Sequence, residues 1–217
     1  MKKCTILFCL CFISTIIYSQ SADVWIERAD VAEEAGNLEA ANICYQKVLE
    51  LDSTDQYIFY SRANVLVDLG EKNKDKTMFK ESFEMYRRAS ELGSSSVYVY
   101  NDWAVAVLRL AKMENNIRYY ESEITTLCLK SEKLGDQVAA YNLACMYSLL
   151  NKKKKSLEWL EKALTNKYQI KSNRLTKSLI EKDPDFDNIR KDKKFEELLM
   201  KYAVTRKNSI FFEKKSI

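Results

Sequence analysis

A short pattern of large and small residues recurs four times along this chain, and it constrains the fold more than any other feature. Each copy reads approximately large, x, x, large, small, x, x, large, which places the large residues on one side of an α-helix. The small residue is alanine at positions 29, 63, 104 and 144, so that successive copies are 34, 41 and 40 residues apart. A period of this length is typical of solenoids, in which each unit buries its apolar face against its neighbours. The sequence therefore predicts an array of repeated units.

A second helical pattern follows the first in each unit. Its small and apolar positions are Ala41, Tyr45 and Val48, then Ser82, Tyr86 and Ala89, then Ile124 and Cys128, then Ser156, Leu160 and Ala163. Four glycines and one proline in 217 residues are too few for the turns of an all-β fold, so we expect an all-α fold. Gly36 and Gly70 lie where the first helix of a unit is expected to end, and Gly93 and Gly135 lie between units.

These units resemble the tetratricopeptide repeat (TPR) family, whose pattern is W-x2-L-G-x2-Y, then A-x3-F, then P, in 34 residues. The first unit keeps Trp25, Ala41 and Tyr45, and the fourth keeps Leu143, Tyr147 and Ala163. Arg28 and Arg62 replace the family's leucine, and the closing proline is missing. The resemblance implies a right-handed superhelical solenoid of about four helix-turn-helix units, which we place at about residues 22–55, 56–93, 97–135 and 137–165.

The chain from residue 166 leaves the repeat but keeps a helical pattern. Asp183-Pro184 is expected to end one short helix, and Asp192 is expected to begin another. The string DPDFDNIRKDKKFEELL resembles the segment that closes many bacterial TPR arrays. We expect residues 166–204 to form capping helices that cover the last repeat, followed by a loose tail at 205–217.

The first 21 residues resemble a secretory signal peptide. Lys2 and Lys3 precede a mostly apolar run at residues 6–18, which Ser19, Gln20 and Ser21 follow. The run is shorter than the roughly 20 residues that span a bilayer, so we expect cleavage rather than anchoring, after Ser19 or Ser21. The mature protein is then exported, periplasmic or secreted, with no integral membrane span.

Catalysis is not expected, because the sequence contains no histidine. The Ser-His and Cys-His mechanisms and the commonest metal ligand are therefore excluded, and we expect no metal and no cofactor. Glu33 with Glu34 and Asp183 with Asp185 are carboxylate pairs of the kind that glycosidases use, but each lies where a helix ends. Three cysteines outside the signal, Cys44, Cys128 and Cys145, are expected to be buried small hydrophobic residues.

Nucleic acid is not an expected partner, although the formal net charge is +4. The 35 basic residues are interleaved with 31 acidic ones, so the electrostatic field is of mixed sign. The run Lys152–Lys155 is expected to be a solvated turn between the two helices of the fourth unit.

The resemblance implies a concave groove, lined by the first helix of each unit, that holds a peptide or a segment of another protein. The candidate groove residues are Asp30, Tyr57, Tyr60, Asn64, Tyr98, Asn101 and Tyr141. Relatives that capture a C-terminal carboxylate use Lys, Arg and Asn on these helices, and here only Asn64 and Asn101 fit that scheme. The tyrosines offer large amphipathic contacts, or alternatively pack between neighbouring helices.

We therefore expect a non-catalytic, exported TPR scaffold that binds a protein or peptide partner in its groove. The alternative from a second class is a structural or self-assembling spacer of the cell envelope. A third class, a histidine-free enzyme that uses carboxylates, requires turnover that is lost when a specific Asp or Glu is replaced.

Overall fold

The structure is a computed structural model, and it describes residues 21–93, 97–136, 138–165 and 175–202. In these ranges the chain is helical and contains no β-strand. The expected signal at residues 1–21, apart from Ser21, and the expected tail at 205–217 lie outside the described residues.

In the part of the chain that the structure describes, eight long helices form four consecutive pairs, and two shorter helices follow. The helices are α1 (Ala22–Glu34), α2 (Leu38–Leu51), α3 (Gln56–Asn73), α4 (Lys76–Leu92), α5 (Val97–Met113), α6 (Ile117–Lys133), α7 (Ala139–Leu149), α8 (Lys153–Thr165), α9 (Lys177–Lys182) and α10 (193–202). A 3-10 helix, Pro184–Phe186, lies between α9 and α10. The closest packing is within each pair, each second helix packs on the next pair, and α5 contacts both α3 and α7. The all-α solenoid of helix pairs is thus confirmed.

The four pairs reverse direction in the same way. A residue with a left-handed backbone ends the first helix of each unit: Gly36 (φ 69°), Lys74 (φ 54°), Asn115 (φ 51°) and Asn151 (φ 56°). The next amide then donates to a carbonyl five residues back, as Asp75 N does to Gly70 O at 2.9 Å. This is the hydrogen bond of a Schellman ending, which satisfies carbonyls that the helix leaves unpaired.

The expectation that Gly70 ends a helix is wrong, because Gly70 lies inside α3, which continues for almost another turn to Asn73. Its lack of a side chain serves packing instead. A Cβ at this position would lie 2.8 Å from Cδ2 of Phe79, a buried residue of α4. Glycine therefore allows α3 and α4 to approach each other closely. The expectation for Lys152–Lys155 is also wrong in part, because α8 begins at Lys153.

The predicted repeat register is confirmed by burial. The recurring alanines Ala29, Ala63, Ala104 and Ala144 are all buried between helices. The predicted positions of the second helices are buried in every unit as well. Arg62, which replaces leucine, is buried because its guanidinium is satisfied on two sides: Nε donates to Asn42 Oδ1 at 3.0 Å, and Nη2 donates to Glu81 Oε1 at 2.5 Å. A buried charge held by such partners keeps the helix pair intact.

The C-terminal helices cover the fourth unit. Phe186, Ile189, Phe195 and Leu199 are buried in one apolar cluster with Leu160 of α8. The short helix α9 ends directly before Asp183-Pro184, as predicted. Asp192 begins α10, since its carboxylate accepts from the amide of Lys194 at 2.8 Å. This cluster gives the last repeat the apolar partner that a further repeat would otherwise provide.

Candidate functional site

The first helices of the four units present one row of side chains, and we call the face they form the groove. Between α3 and α5 it contains a cavity of about 230 Å³, here called the α3–α5 cleft. The cleft is lined by Asn64, Val67, Asp68, Tyr86, Asp102, Val105, Ala106 and Arg109. The lining is polar on the walls, where amide, carboxylate and guanidinium groups lie, and aliphatic at Val67 and Val105.

A series of hydrogen bonds crosses the floor of the groove. The Tyr60 hydroxyl donates to Asp102 Oδ2 at 2.5 Å, and the Asn101 amide donates to Asp102 Oδ1 at 3.0 Å. Asn142 of α7 donates to Asn101 Oδ1 at 2.8 Å, while Tyr86 donates to Asn64 Oδ1 at 2.5 Å. Burial and the hydrogen bond to Asp102 raise the pKa of Tyr60 to about 12. These bonds join α3, α5 and α7, so they fix the spacing of the groove.

Two tyrosines of the groove have side chains that are exposed to solvent. Tyr57 is 53% exposed at the start of α3, and Tyr98 is 66% exposed at the start of α5. Tyr86, which lines the α3–α5 cleft, stacks on Trp103 with ring centroids 6.4 Å apart and planes inclined by 14°. Exposed aromatic side chains are enriched on surfaces that contact other proteins.

The charges of the groove are mostly negative. Asp30 and Glu33 of α1 accept hydrogen bonds from the buried hydroxyl of Tyr45, at 3.1 and 2.5 Å. Arg109 in the α3–α5 cleft forms ion pairs with Asp68 at 2.9 Å and with Glu71 at 3.2 Å. A second cavity, of about 300 Å³, lies along α1 and is lined by Asp23, Ile26, Glu27, Asp30, Val31 and Glu34.

The C-terminal end of the groove is filled by the chain itself. Tyr141 is only 7% exposed, because Phe186 packs edge-on against its ring and its hydroxyl donates to Asp183 Oδ2 at 2.5 Å. Asp185 forms an ion pair with Lys112 at 2.5 Å. Tyr141 therefore packs the capping segment to α7 and is not an open contact residue.

The structure brings three of the seven candidate residues into this polar network or beside it and places Asp30 in a separate contact of the first unit. Tyr60 and Asn101 meet at Asp102, Asn64 lines the α3–α5 cleft, and Asp30 bonds Tyr45. Tyr57 and Tyr98 are exposed at the starts of α3 and α5. Tyr141 belongs neither to the hydrogen-bonded residues nor to the exposed tyrosines, because the capping segment covers it. Sequence reasoning missed Asp68, Asp102 and Arg109. Asp68 and Arg109 were detectable, because each lies one helical turn after a groove position, at Asn64 and Val105.

The carboxylate pairs weighed as catalytic groups have structural partners. Glu33 is held by Tyr45, and Asp183 accepts from Tyr141 and from the amide of Asp185. Cys44, Cys128 and Cys145 are buried and form no disulfide, and burial raises the pKa of Cys128 to about 12. Among the described residues, no cluster of Cys, Asp and Glu has the grouping that a metal ion requires. Within the same ranges, no helix is long and apolar enough to cross a membrane.

The basic run of the fourth unit is also engaged within the molecule. Lys152 forms an ion pair with Glu121 at 2.6 Å, and Lys153 forms one with Asp192 at 2.9 Å. The ammonium of Lys155 lies 5.1 Å from the ring centre of Tyr147. These contacts tie α8 to α6, α7 and the start of α10.

Comparison with known proteins agrees with this geometry. A model of the tetratricopeptide repeat matches residues 22–55 and 138–169. These two segments are tetratricopeptide repeats. They correspond to the α1–α2 pair and to the unit that contains α7 and α8. The α3–α4 and α5–α6 pairs continue the same helix-pair arrangement between them, with longer helices.

Similarity to a curated protein covers part of the chain. A chloroplastic protein of Arabidopsis thaliana is 34% identical over 91 residues, which are 42% of this chain and 24% of that protein. The chain thus spans about a quarter of the length of this curated relative.

Two solved structures cover more of the chain at lower identity. The crystal structure of MamA protein superposes with a TM-score of 0.59 at 16% identity, covering 86% of this chain and 92% of that one. It shows the fold. The structure of YrrB, titled "a TPR protein with an unusual peptide-binding site", covers 76% of this chain and 98% of that one, with a TM-score of 0.36 and 21% identity. That score is too low to support an argument about this chain.

Proposed function

We propose that this protein is an exported TPR scaffold that binds a segment of a protein partner in its groove and has no catalytic activity of its own. The observation that carries the proposal is the α3–α5 cleft, together with the exposed Tyr57 and Tyr98 at the starts of the same two helices. Hydrogen bonds between three units hold the helices beside the cleft in place before a partner binds. The protein therefore loses little conformational entropy when a partner docks.

A site of this kind fits an extended peptide segment better than a small molecule. The cleft lies between two helices that begin with an exposed tyrosine, and a separate cavity lies along α1. A tyrosine side chain combines a large contact area with few rotatable bonds, and tyrosine is enriched at protein interfaces for this reason. Tyr57 and Tyr98 offer such contacts. A peptide that runs across α5, α3 and α1 contacts both cavities in order.

The experiment is photo-crosslinking in the native host. A photoreactive phenylalanine analogue replaces Tyr98 in the groove or, as a matched control, Tyr119 on α6, which is 75% exposed outside the row of first helices. We expect a specific crosslinked partner from position 98, absent in a Tyr57→Ala variant and absent from position 119. Crosslinks that are equal at both positions would contradict a groove partner. Crosslinks to a second copy of this chain would favour the spacer alternative.

Export is the second part of the proposal, and the sequence of residues 1–21 supports it. Mass spectrometry of the full-length chain from a host with a secretory pathway tests it. A mature N-terminus between Gln20 and Ala22 in the envelope fraction is the expected result. An intact Met1 in the cytosol would refute export and leave the groove proposal standing.

A further inference from the structure

The groove keeps an excess of negative charge after its internal partners are counted. On α3 and α5 the groove cations are Arg109 and Lys112, and both already form ion pairs within the protein. Arg109 alone meets two carboxylates, Asp68 and Glu71. Among the groove residues that the structure describes on these two helices, no cation is left for an acidic ligand.

The other carboxylates of the groove have neutral hydrogen-bond donors, which leave their charge in place. Asp102 accepts from a tyrosine hydroxyl and an amide, and Asp30 and Glu33 accept from the hydroxyl of Tyr45. Asp30 and Asp102 are half-buried, where a nearby charge is screened less than on an open surface. A cation placed beside them therefore gains more than it would at an ordinary surface carboxylate.

Among the residues described at the closed end of the groove, no cation is left for an external ligand, because an internal contact already uses Lys112. There the chain places its own acidic segment, with Asp183 on Tyr141 and Asp185 on Lys112. This internal segment thus uses Lys112, whose charge an external acidic peptide would need. At the open end, Asp30, Glu33 and Asp102 accept from neutral donors, while Asp68 and Glu71 both pair with the same cation, Arg109.

We propose that the segment bound in the groove is cationic: an extended stretch of the partner whose Arg or Lys side chains reach Asp102 and Asp68, with their stems on Tyr57 and Tyr98. This inference rests on the proposed function and names the chemistry of the partner. Arginine suits the site best, since its guanidinium pairs with a carboxylate through two hydrogen bonds and stacks on aromatic rings. In an extended peptide, successive side chains point to opposite sides, so every second side chain points into the cleft.

The test is fluorescence anisotropy with a short fluorescein-labelled peptide of alternating arginine and serine, and with a counterpart that carries glutamate in place of arginine. The full chain has a formal net charge of +4, so long-range electrostatics do not favour the arginine peptide over the glutamate peptide. We expect the arginine peptide to bind and the glutamate peptide not to bind. The affinity should fall about tenfold in the Asp68→Asn/Asp102→Asn variant.

Further measurements test whether a loss of binding is specific to the groove carboxylates. Glu197→Gln removes an exposed carboxylate of α10 and should bind as wild type does. Asn at position 102 keeps an oxygen acceptor for Tyr60, and an unchanged helical circular dichroism spectrum shows that the variant is folded. Raising the ionic strength from about 0.05 M to about 0.5 M should weaken wild-type binding more than variant binding.

Equal binding of the two peptides, or an unchanged affinity in the Asp68→Asn/Asp102→Asn variant, would overturn the inference. Crosslinking at position 98 separates this failure from that of the proposed function. A groove partner whose crosslinked segment is acidic or neutral leaves the scaffold function standing and refutes the cationic segment. If position 98 gives no crosslink and the arginine peptide does not bind, both the proposed function and the cationic segment are refuted.

Discussion

Gly70→Ala is the substitution whose outcome depends most directly on the packing of the solenoid. In an exposed helix, replacing glycine by alanine stabilises the folded state by about 0.5–1 kcal/mol, because glycine loses more backbone entropy on folding. At Gly70 the new methyl group would lie 2.8 Å from Cδ2 and 3.0 Å from Cε2 of Phe79, and 3.1 Å from the carbonyl oxygen of Asp75. The ring cannot move freely, since Phe79 is buried in the cluster of the second and third units.

The two effects oppose each other, and their magnitudes decide the sign. Overpacking a filled core costs about 1–3 kcal/mol, which exceeds the helix gain. We therefore expect Gly70→Ala to lower the free energy of unfolding by about 1–2 kcal/mol in urea titrations followed by circular dichroism at 222 nm. In a Phe79→Leu background the same substitution should be neutral or stabilising, which gives a coupling energy of about 1–2 kcal/mol.

Lys74→Gly is the paired test, because Lys74 holds the left-handed backbone at which α3 ends. Glycine removes a strain of about 1–2 kcal/mol and loses about 0.4–1 kcal/mol to unfolded-state entropy, so a net gain of about 0.5–1 kcal/mol is expected. If α3 instead ended at Gly70, Lys74→Gly would not stabilise the protein. A stabilising Gly70→Ala combined with a destabilising Lys74→Gly would refute the packing argument.

Three further outcomes are expected. Ala144→Leu should cost about 1–3 kcal/mol in the same urea titration by overpacking α7 against its neighbours, and a wild-type midpoint would show that the register is wrong. Because the folded pKa of Tyr60 is raised to about 12, its stabilising contribution should be complete below pH 10 and be lost as the pH rises towards 12; the tyrosinate absorbance at 295 nm of wild type and Tyr60→Phe measures this. Cys128 and Cys145 should react with a thiol reagent only after unfolding, because burial raises the pKa of both thiols, and fast labelling of the native protein would contradict their burial.

The candidate site was predictable in part, and the parts that failed share a cause. Tyr57 and Tyr98 lie on the predicted face of their helices, because helical spacing depends on neighbours within one turn. Tyr141 was assigned to the same face, but a segment 42 residues later in the chain covers it. Asp102 lies beside the predicted face, and its role depends on Tyr60 of another unit, also 42 residues away. Local periodicity carries no information about such pairings.

The sequence by itself determined the helix pairs, the register of the buried alanines and the start of the last helix at Asp192. These follow from the spacing of large and small residues and from capping groups, which act over three or four residues. Only the tertiary structure decided that Gly70 serves a helix contact, that Lys74 makes the reversal and that the groove closes over the fourth unit. Each of those depends on which distant surfaces meet, because burial and steric exclusion are properties of the assembled solenoid.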